Sequence, residues 1–354
     1  MEYQFEKIND ILLDWFELNA RILPWRSNPI PYYVWVSEIM LQQTRVEAVK
    51  GYFERFIKEI PTIKALAECE DEKLLKLWEG LGYYNRVKNM KQAACQVMEQ
   101  YQGELPKEYE KLLSLKGIGS YTAGAIASIA YGKRVPAVDG NVLRVLSRLS
   151  GSYEDIAKAS VKKNMEGILR KTMPYDKPGD FNQALMELGA MICIPNGAPL
   201  CDQCPLSHLC VAYKKELTKE LPVKASKKQR KIEEKTVLLL EYDGKYAICK
   251  RKEKGLLNGL WEFPNIEGKK SVLKIEDYIK KQGYKYEIVV PLKEAKHIFT
   301  HKEWHMLGYY VKLKQMVEQQ EYIFASKEDL QSQYSIPTAF KAYKSVILEE
   351  ENGV

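Results

Sequence analysis

The stretch KKELTKELPVKASKKQRKIEEK, residues 214-235, carries nine basic and four acidic residues and almost no large apolar side chains. Such a segment adds nothing to a core, so it reads as a linker, and the 354-residue chain must bury apolar surface separately on either side of it. The two sides differ in period. Residues 1-213 read as helix after helix, with apolar residues three and four apart in FERFIKEI, EKLLKLWEGL, VKNMKQAACQVMEQY and FNQALMELGAMIC. Residues 236-354 open on TVLLLEYDGKYAICKR, two β-rich runs around Asp243-Gly244, a strong two-residue hairpin signal. EAKHIFTHKEWHMLGYYVKLK reads as a second hairpin, IEDYIKKQG and PTAFKAYKSVILEE as helices. The expected fold class is multidomain: an all-α region at 1-213, a basic linker at 214-235 and an α/β domain at 236-354.

A formal net charge of +7, from 54 Lys plus Arg against 47 Asp plus Glu, suits a polyanionic partner. The amino terminus, MEYQFEKINDILLDWF, is amphipathic and acidic with no signal-peptide h-region, and no apolar run reaches membrane-spanning length, so a cytoplasmic protein is expected. In that compartment seven cysteines do not read as a disulfide framework. Cys193, Cys201, Cys204 and Cys210 fall within the 18 residues CIPNGAPLCDQCPLSHLC, directly after a helix. Four thiolates so spaced can surround one metal centre, and both zinc and a cubane iron–sulfur cluster fit. Cys69, Cys95 and Cys249 stand alone and are expected as small core residues.

In LKGIGSYTAGAIAS, residues 115-128, apolar flanks at helical spacing meet at Gly117-Ile118-Gly119, which therefore joins two helices. Glycine at both ends permits φ > 0 and close approach of another molecule. Ser120 is expected to cap the second helix, whose free N–H groups suit an anion such as a phosphate. A plain helix connection is the competing reading. In VDGNV, residues 138-142, Asp139 precedes the helical pattern LRVLSRL, and an N-cap is its simplest role. Glu38, in YYVWVSEIMLQQTRV, sits inside an apolar helix face where a charge is costly and the pKa rises, as a functional acid or as a satisfied structural partner. Two carboxylates in unlike environments are what cleavage of a glycosidic bond needs, one donating a proton and the other facing a cationic sugar.

The helix–GIG–helix hairpin, VDGN about twenty residues later and the four-cysteine loop together resemble the helix-hairpin-helix DNA glycosylases that carry an iron–sulfur cluster. SEIMLQQT, WEGLGYYNR and the α/β tail make the chain similar to the MutY-type branch, which acts on adenine opposite 8-oxoguanine, over nearly its whole length. One spacing departs from that family: seven residues rather than six separate Cys193 from Cys201, while the later spacings of two and five agree.

That resemblance implies a monofunctional adenine DNA glycosylase of base-excision repair, cytoplasmic and, in a bacterial cell, held on the nucleoid through DNA. A [4Fe-4S] cluster on the four cysteines is implied, with duplex DNA bearing an adenine:8-oxoguanine mispair as partner and a monomer acting on it. Glu38 would protonate the flipped adenine at N7, and Asp139 would stabilise the oxocarbenium-like sugar with help from Asn141 and Tyr121. Trp25, Arg26 and Gln183 match residues lining the adenine pocket. Gln43 and Tyr83 match residues wedged beside 8-oxoguanine, with Arg86 and Lys88 available to phosphates. Gly117, Gly119 and Ser120 would hold the DNA backbone. In bifunctional relatives a lysine follows the hairpin and forms a Schiff base with the sugar; here Tyr121 stands there, so water is the expected nucleophile and an abasic site the product.

GLWEFP, residues 259-264, resembles the strand entering a Nudix fold, yet NIEGKKSVLKIEDYIKKQGY after it lacks the R-E-x-x-E-E array that holds divalent metal. The second domain is therefore expected to bind rather than hydrolyse. Within it Phe299, Thr300 and His301 match the family's lesion-reading F-S-H, with threonine replacing serine. Two other functions compete: a Nudix-type hydrolase, opposed by the missing carboxylates, and a DNA-structure binder without catalysis, opposed by the Glu38 and Asp139 pair.

Overall fold

A computed structural model describes residues 3–225, 229–252, 255–315 and 321–349. The chain divides into two compact units, residues 1–68 with 85–226 and residues 69–84 with 227–354. The first is helical, as its apolar spacing requires. Val46–Glu59, Asn85–Tyr101 and Pro178–Met191 are helices, and Phe181, Leu185 and Leu188 of the last meet Val142, Leu146 and Leu149 of helix Gly140–Ser150 in a core that also takes Leu12. Proline at the first helical position starts both Pro31–Leu41 and Pro178–Met191, where the missing N–H costs nothing.

The second unit is a mixed sheet. Strands β1 (Lys231–Tyr242), β2 (Lys245–Lys250), β3 (Trp261–Glu262), β4 (Asn265–Glu267), β5 (Tyr286–Ile298), β6 (Lys302–Leu313) and β7 (Ile323–Ala325) run in the order β3-β2-β1-β6-β5, with β4 on β1 and β7 on β2. Asp243 and Gly244 take φ of 49° and 71°, the left-handed pair a type I′ turn needs, and β1 folds back on β2 with Tyr242 opposite Lys245. β5 and β6 form the second expected hairpin, with Ile298 opposite Glu303. Successive residues of VLLL point to opposite faces: Val237 and Leu239 pack with Phe340 and Tyr343, while Leu238 and Leu240 pack with Ile275 and Ile279. Both faces of β1 are thus covered, by helices Val272–Lys281 and Lys341–Glu349, which is why its apolar run is continuous rather than alternating.

Three features differ from the sequence reading. β1 starts at Lys231, inside the stretch taken as linker, because Lys231–Glu241 pairs in parallel with Lys302–Lys312 and the ladder needs no apolar side chains there. Short helices Val211–Lys214 and Leu217–Lys219 occupy the region just before it. Residues 69–84, part of the helical segment by sequence, belong to the unit that holds the sheet. Lys76 Nζ donates to the carbonyls of Leu330 and Tyr334 at 3.0 and 3.1 Å, and the Trp261 indole donates to Glu72 at 2.8 Å. Of the three isolated cysteines none is core: Cys95 is exposed, Cys69 and Cys249 half-buried. No helix among the described residues is long and apolar enough to cross a membrane.

Candidate active site

Glu38 lies in helix Pro31–Leu41, where every residue from Val34 to Met40 is buried. Burial pushes its carboxyl up to about 7; the nearby charge of Asp139 adds to this, against a hydrogen bond from Tyr121 and the Arg26 guanidinium. The Tyr121 hydroxyl donates to Glu38 Oε2 and lies 3.4 Å from Met186 Sδ. Burial first, and then the Glu38 and Asp139 charges, hold the Tyr121 phenol well above its ordinary pKa, so it stays a proton donor to Glu38.

Asp139 is indeed an N-cap. Its side chain accepts from Val142 N–H at 2.8 Å, starting helix Gly140–Ser150, and from Asn141 Nδ2 at 2.8 Å. Burial raises its pKa, while those two hydrogen bonds and Arg144 pull the other way. The capping role and the placement beside Glu38 therefore coexist in one residue. Behind it, Arg144 donates to Asn141 Oδ1 (2.8 Å), to Gly189 O (2.8 Å) and to Cys193 O (2.7 Å), joining the carboxylate's partner to the first cysteine. Gly189 has to be glycine there, since an added Cβ would lie 2.7 Å from Asn141 Cβ.

The hairpin differs in detail from expectation. Gly117 takes φ of 77° and packs on Asn89, whose Cβ would lie 2.7 Å from an added methyl. Gly119 has an ordinary extended backbone with φ of −94° and is itself the N-cap of helix Ser120–Ala125. Ser120 is not the cap: its hydroxyl donates to Glu166 Oε1 at 2.8 Å. Gly119 offers this helix no side-chain cap, and among the described residues a Cβ at Gly119 would meet no protein atom within 4 Å, so there is open space in front of the helix start.

Arg26 borders the Glu38 site and donates from Nε to Gln183 Oε1 at 2.9 Å and from Nη2 to Glu187 at 2.9 Å. Trp25 is buried edge-on to Phe53, centroids 5.3 Å apart, so it is a wall of the core as much as of a pocket. Gln43 and Tyr83 share a signal that spacing could not reveal: both are non-glycine residues at positive φ, 61° and 48°, a strained conformation of about 1–3 kcal/mol each. Of the two adjacent tyrosines Tyr84 is buried and Tyr83 is 48% exposed, so the helix-packing and surface roles divide between them. Arg86 is engaged within the protein: its Nη1 closes the end of helix Pro31–Leu41 on the carbonyls of Ile39, Met40 and Gln42, at 2.7, 3.1 and 2.6 Å.

In the second unit Phe299, Thr300 and His301 form the turn between β5 and β6, closed by Phe299 N–H to Lys302 O at 2.8 Å. Phe299 is clamped edge-on between His297 (4.5 Å) and Trp304 (4.9 Å), and Thr300 and His301 are exposed. The Tyr83 hydroxyl is 3.0 Å from Thr300 Oγ1.

The four clustered cysteines line one apolar cavity with Leu149, Leu188 and Arg148. Burial, and then one another's charge, raise the thiols of Cys201 and Cys210 and push Cys204 to about 12. Three thiols raised in this way, gathered with Cys193 around one cavity, fit a cationic centre that would bind them as thiolates, and Arg148 already donates to Cys193 Sγ at 3.3 Å. Among the described residues no three His, Cys, Asp or Glu side chains are arranged to hold a single metal ion.

Residues 36–171 match the profile of the HhH-GPD superfamily base excision DNA repair proteins, and residues 236–345 that of the NUDIX domain. The adenine DNA glycosylase of Buchnera aphidicola (subsp. Schizaphis graminum) is 33% identical over 86% of this chain and 87% of its own. The chain belongs to the adenine DNA glycosylase family. The adenine DNA glycosylase of Arabidopsis thaliana is 36% identical over 85% of this chain, which spans 56%, about half, of that relative's length. A thermostable thymine-DNA glycosylase structure superposes on 60% of the chain with a TM-score of 0.53 at 28% identity, covering 97% of itself.

Proposed function

We propose that this protein removes adenine mispaired with 8-oxoguanine, and less selectively with guanine, from duplex DNA, leaving an abasic site and so preventing G·C to T·A transversions. The observation that carries the reading is the buried Glu38 carboxyl, pushed up to about 7, held by Tyr121 and close enough to Asp139 to feel its charge. At neutral pH such a group is a competent acid and base in turn. The target adenine leaves the stack, Glu38 protonates it at N7, and the N-glycosidic electron pair departs with the base. Asp139, oriented by Val142 N–H and Asn141, faces the cationic sugar until water adds at C1′ and yields its proton to Glu38, by then a carboxylate. Tyr121 has no amine, so no imine forms and the strand stays intact.

The hairpin N–H groups are assigned to a DNA phosphate, Gln43 and Tyr83 to the gap beside the orphaned base, and Thr300 with His301 to the lesion. Cys193, Cys201, Cys204 and Cys210 are assigned to a [4Fe-4S] cluster, which would supply a rigid anchor for this loop, with Arg148 donating to the Cys193 sulfur of its anionic thiolate set. The test is single-turnover incubation with duplexes holding adenine opposite 8-oxoguanine, guanine or thymine. Released adenine with strands that break only after alkali is the expected result; strand cleavage trapped by borohydride, or no adenine release, overturns the assignment. Iron and sulfide in equal amounts in anaerobically purified protein support the cluster, and stoichiometric zinc without iron defeats it.

A further inference from the structure

Glu187 is a fully charged group in a place that punishes charge. It lies in helix Pro178–Met191, one turn beyond Gln183, and is 1% exposed. Burial pushes its carboxyl up, but the guanidiniums of Arg21 and Arg26 more than reverse this and hold it at about 2. Both oxygens are in use: Oε1 accepts from Arg21 Nε at 2.6 Å, and Oε2 accepts from Arg21 Nη2 at 3.0 Å and Arg26 Nη2 at 2.9 Å. Arg26, which also donates to Arg21 O at 3.1 Å, is thereby fixed, and its Nε–H reaches Gln183 Oε1 at 2.9 Å.

Arginine has no acceptor, so only the carbonyl end of the Gln183 amide can face it. The NH2 end is the one left for a ligand. Met186, on the same helix between Gln183 and Glu187, touches the Tyr121 hydroxyl, which places this helix face at the Glu38 site.

We infer that Glu187 is a positioning residue that sets the hydrogen-bond polarity of the base pocket: through Arg26 it makes Gln183 present a donor to the extruded base. The inference rests on the adenine-excision reading. Under that reading N7 belongs to Glu38 and N3 lies beside the sugar, so the acceptor that remains for Gln183 is N1 of adenine. Guanine carries a proton on N1 and would set donor against donor, a mismatch that leaves buried groups unpaired.

The test is single-turnover release of adenine and of 1-deazaadenine, which has C–H at that position, from duplexes opposite 8-oxoguanine. The native protein is expected to prefer adenine by about tenfold, the rate equivalent of one hydrogen bond of about 1.4 kcal/mol. Gln183→Leu removes the donor and should bring that preference close to one. Glu187→Gln offers one acceptor oxygen to donors that need two, so it should lower the preference several-fold even where the absolute rate also falls. Because the readout is a ratio within each variant, a general loss of folding does not move it. Equal preferences in the native protein and Gln183→Leu overturn the inference, whereas failure of the native protein to release adenine overturns the function itself.

Discussion

The Glu38 site and the Phe299-Thr300-His301 turn are both small clusters of polar side chains, yet they stand at opposite ends of the solvent scale. Glu38 is buried in an apolar helix and its carboxyl is pushed up to about 7, while Thr300 and His301 stand exposed on a hairpin tip. Chemistry at neutral pH is served by the first arrangement, since exclusion of water, with a like charge nearby, moves a carboxylic acid into the physiological range. Reading a base requires the second, since contacts have to form with a partner that arrives from outside. Interactions in a dry site are strong and those at a wet tip are weak, so the consequences of substitution should differ by orders of magnitude.

The largest effect is expected at the two carboxylates. Glu38→Gln and Asp139→Asn should each slow single-turnover excision by about 10²–10⁴-fold while duplex binding persists, because each removes a proton donor or a charge from the transition state alone. A near-native rate in either variant would take that residue out of the mechanism and erase the contrast between the two regions.

The next effect follows from the raised pKa itself. The folded protein keeps a proton on Glu38 that the unfolded chain releases near the ordinary value of 4.5, so stability falls as pH rises from there through about 7. Ionisation at alkaline pH costs on the order of 3 kcal/mol by the size of that shift. Glu38→Gln should therefore gain about that much stability relative to the native protein between pH 4 and pH 9 in denaturant unfolding of the helical unit. Excision should decline above pH 7 as the acid form is lost. Tyr121→Phe removes a hydrogen bond that lowers the Glu38 pKa, so its alkaline limb should move to higher pH. A limb that stays in place would show that Tyr121 does not tune the acid.

How much of this contrast was readable in advance depends on range along the chain. The helical periods, the Asp243-Gly244 turn and the burial of Glu38 are local, and residues within a turn or two of each other specify them. Ser120 misled because serine before a helix is a common cap; Glu166, 46 residues away, takes its hydroxyl instead. Arg86 has a role that spacing does not reveal, since the end of helix Pro31–Leu41 is brought against its guanidinium only in the fold. The strain at Gln43 and Tyr83 leaves no trace in residue type, since neither glutamine nor tyrosine signals positive φ. The Arg21–Glu187–Arg26 cluster joins segments over 160 residues apart, and no spacing rule connects them.

At the exposed turn the expected losses are smaller. Thr300→Ala combined with His301→Ala should weaken excision opposite 8-oxoguanine by about 1–3 kcal/mol, the scale of base discrimination, and affect adenine opposite guanine less. Equal losses on both duplexes would mean that the turn supports general DNA binding; no loss would move lesion reading to Gln43 and Tyr83.

The smallest effect is the contact between Tyr83 and Thr300, whose hydroxyls lie 3.0 Å apart at the surface. Water competes for both groups, so the pair should be coupled by about 0.5–1 kcal/mol, below the cost of either base contact. Thr300→Val keeps the branched shape and removes the hydroxyl; Tyr83→Phe keeps the ring and removes its partner. A double-mutant cycle on affinity for the 8-oxoguanine duplex measures the term directly. Positive coupling of that size means that the strained tyrosine is aimed by the same threonine that is proposed to meet the lesion, so the serine-to-threonine change would act on both at once. Strict additivity would separate them, leaving Tyr83 held by its backbone alone and the turn as an independent reader.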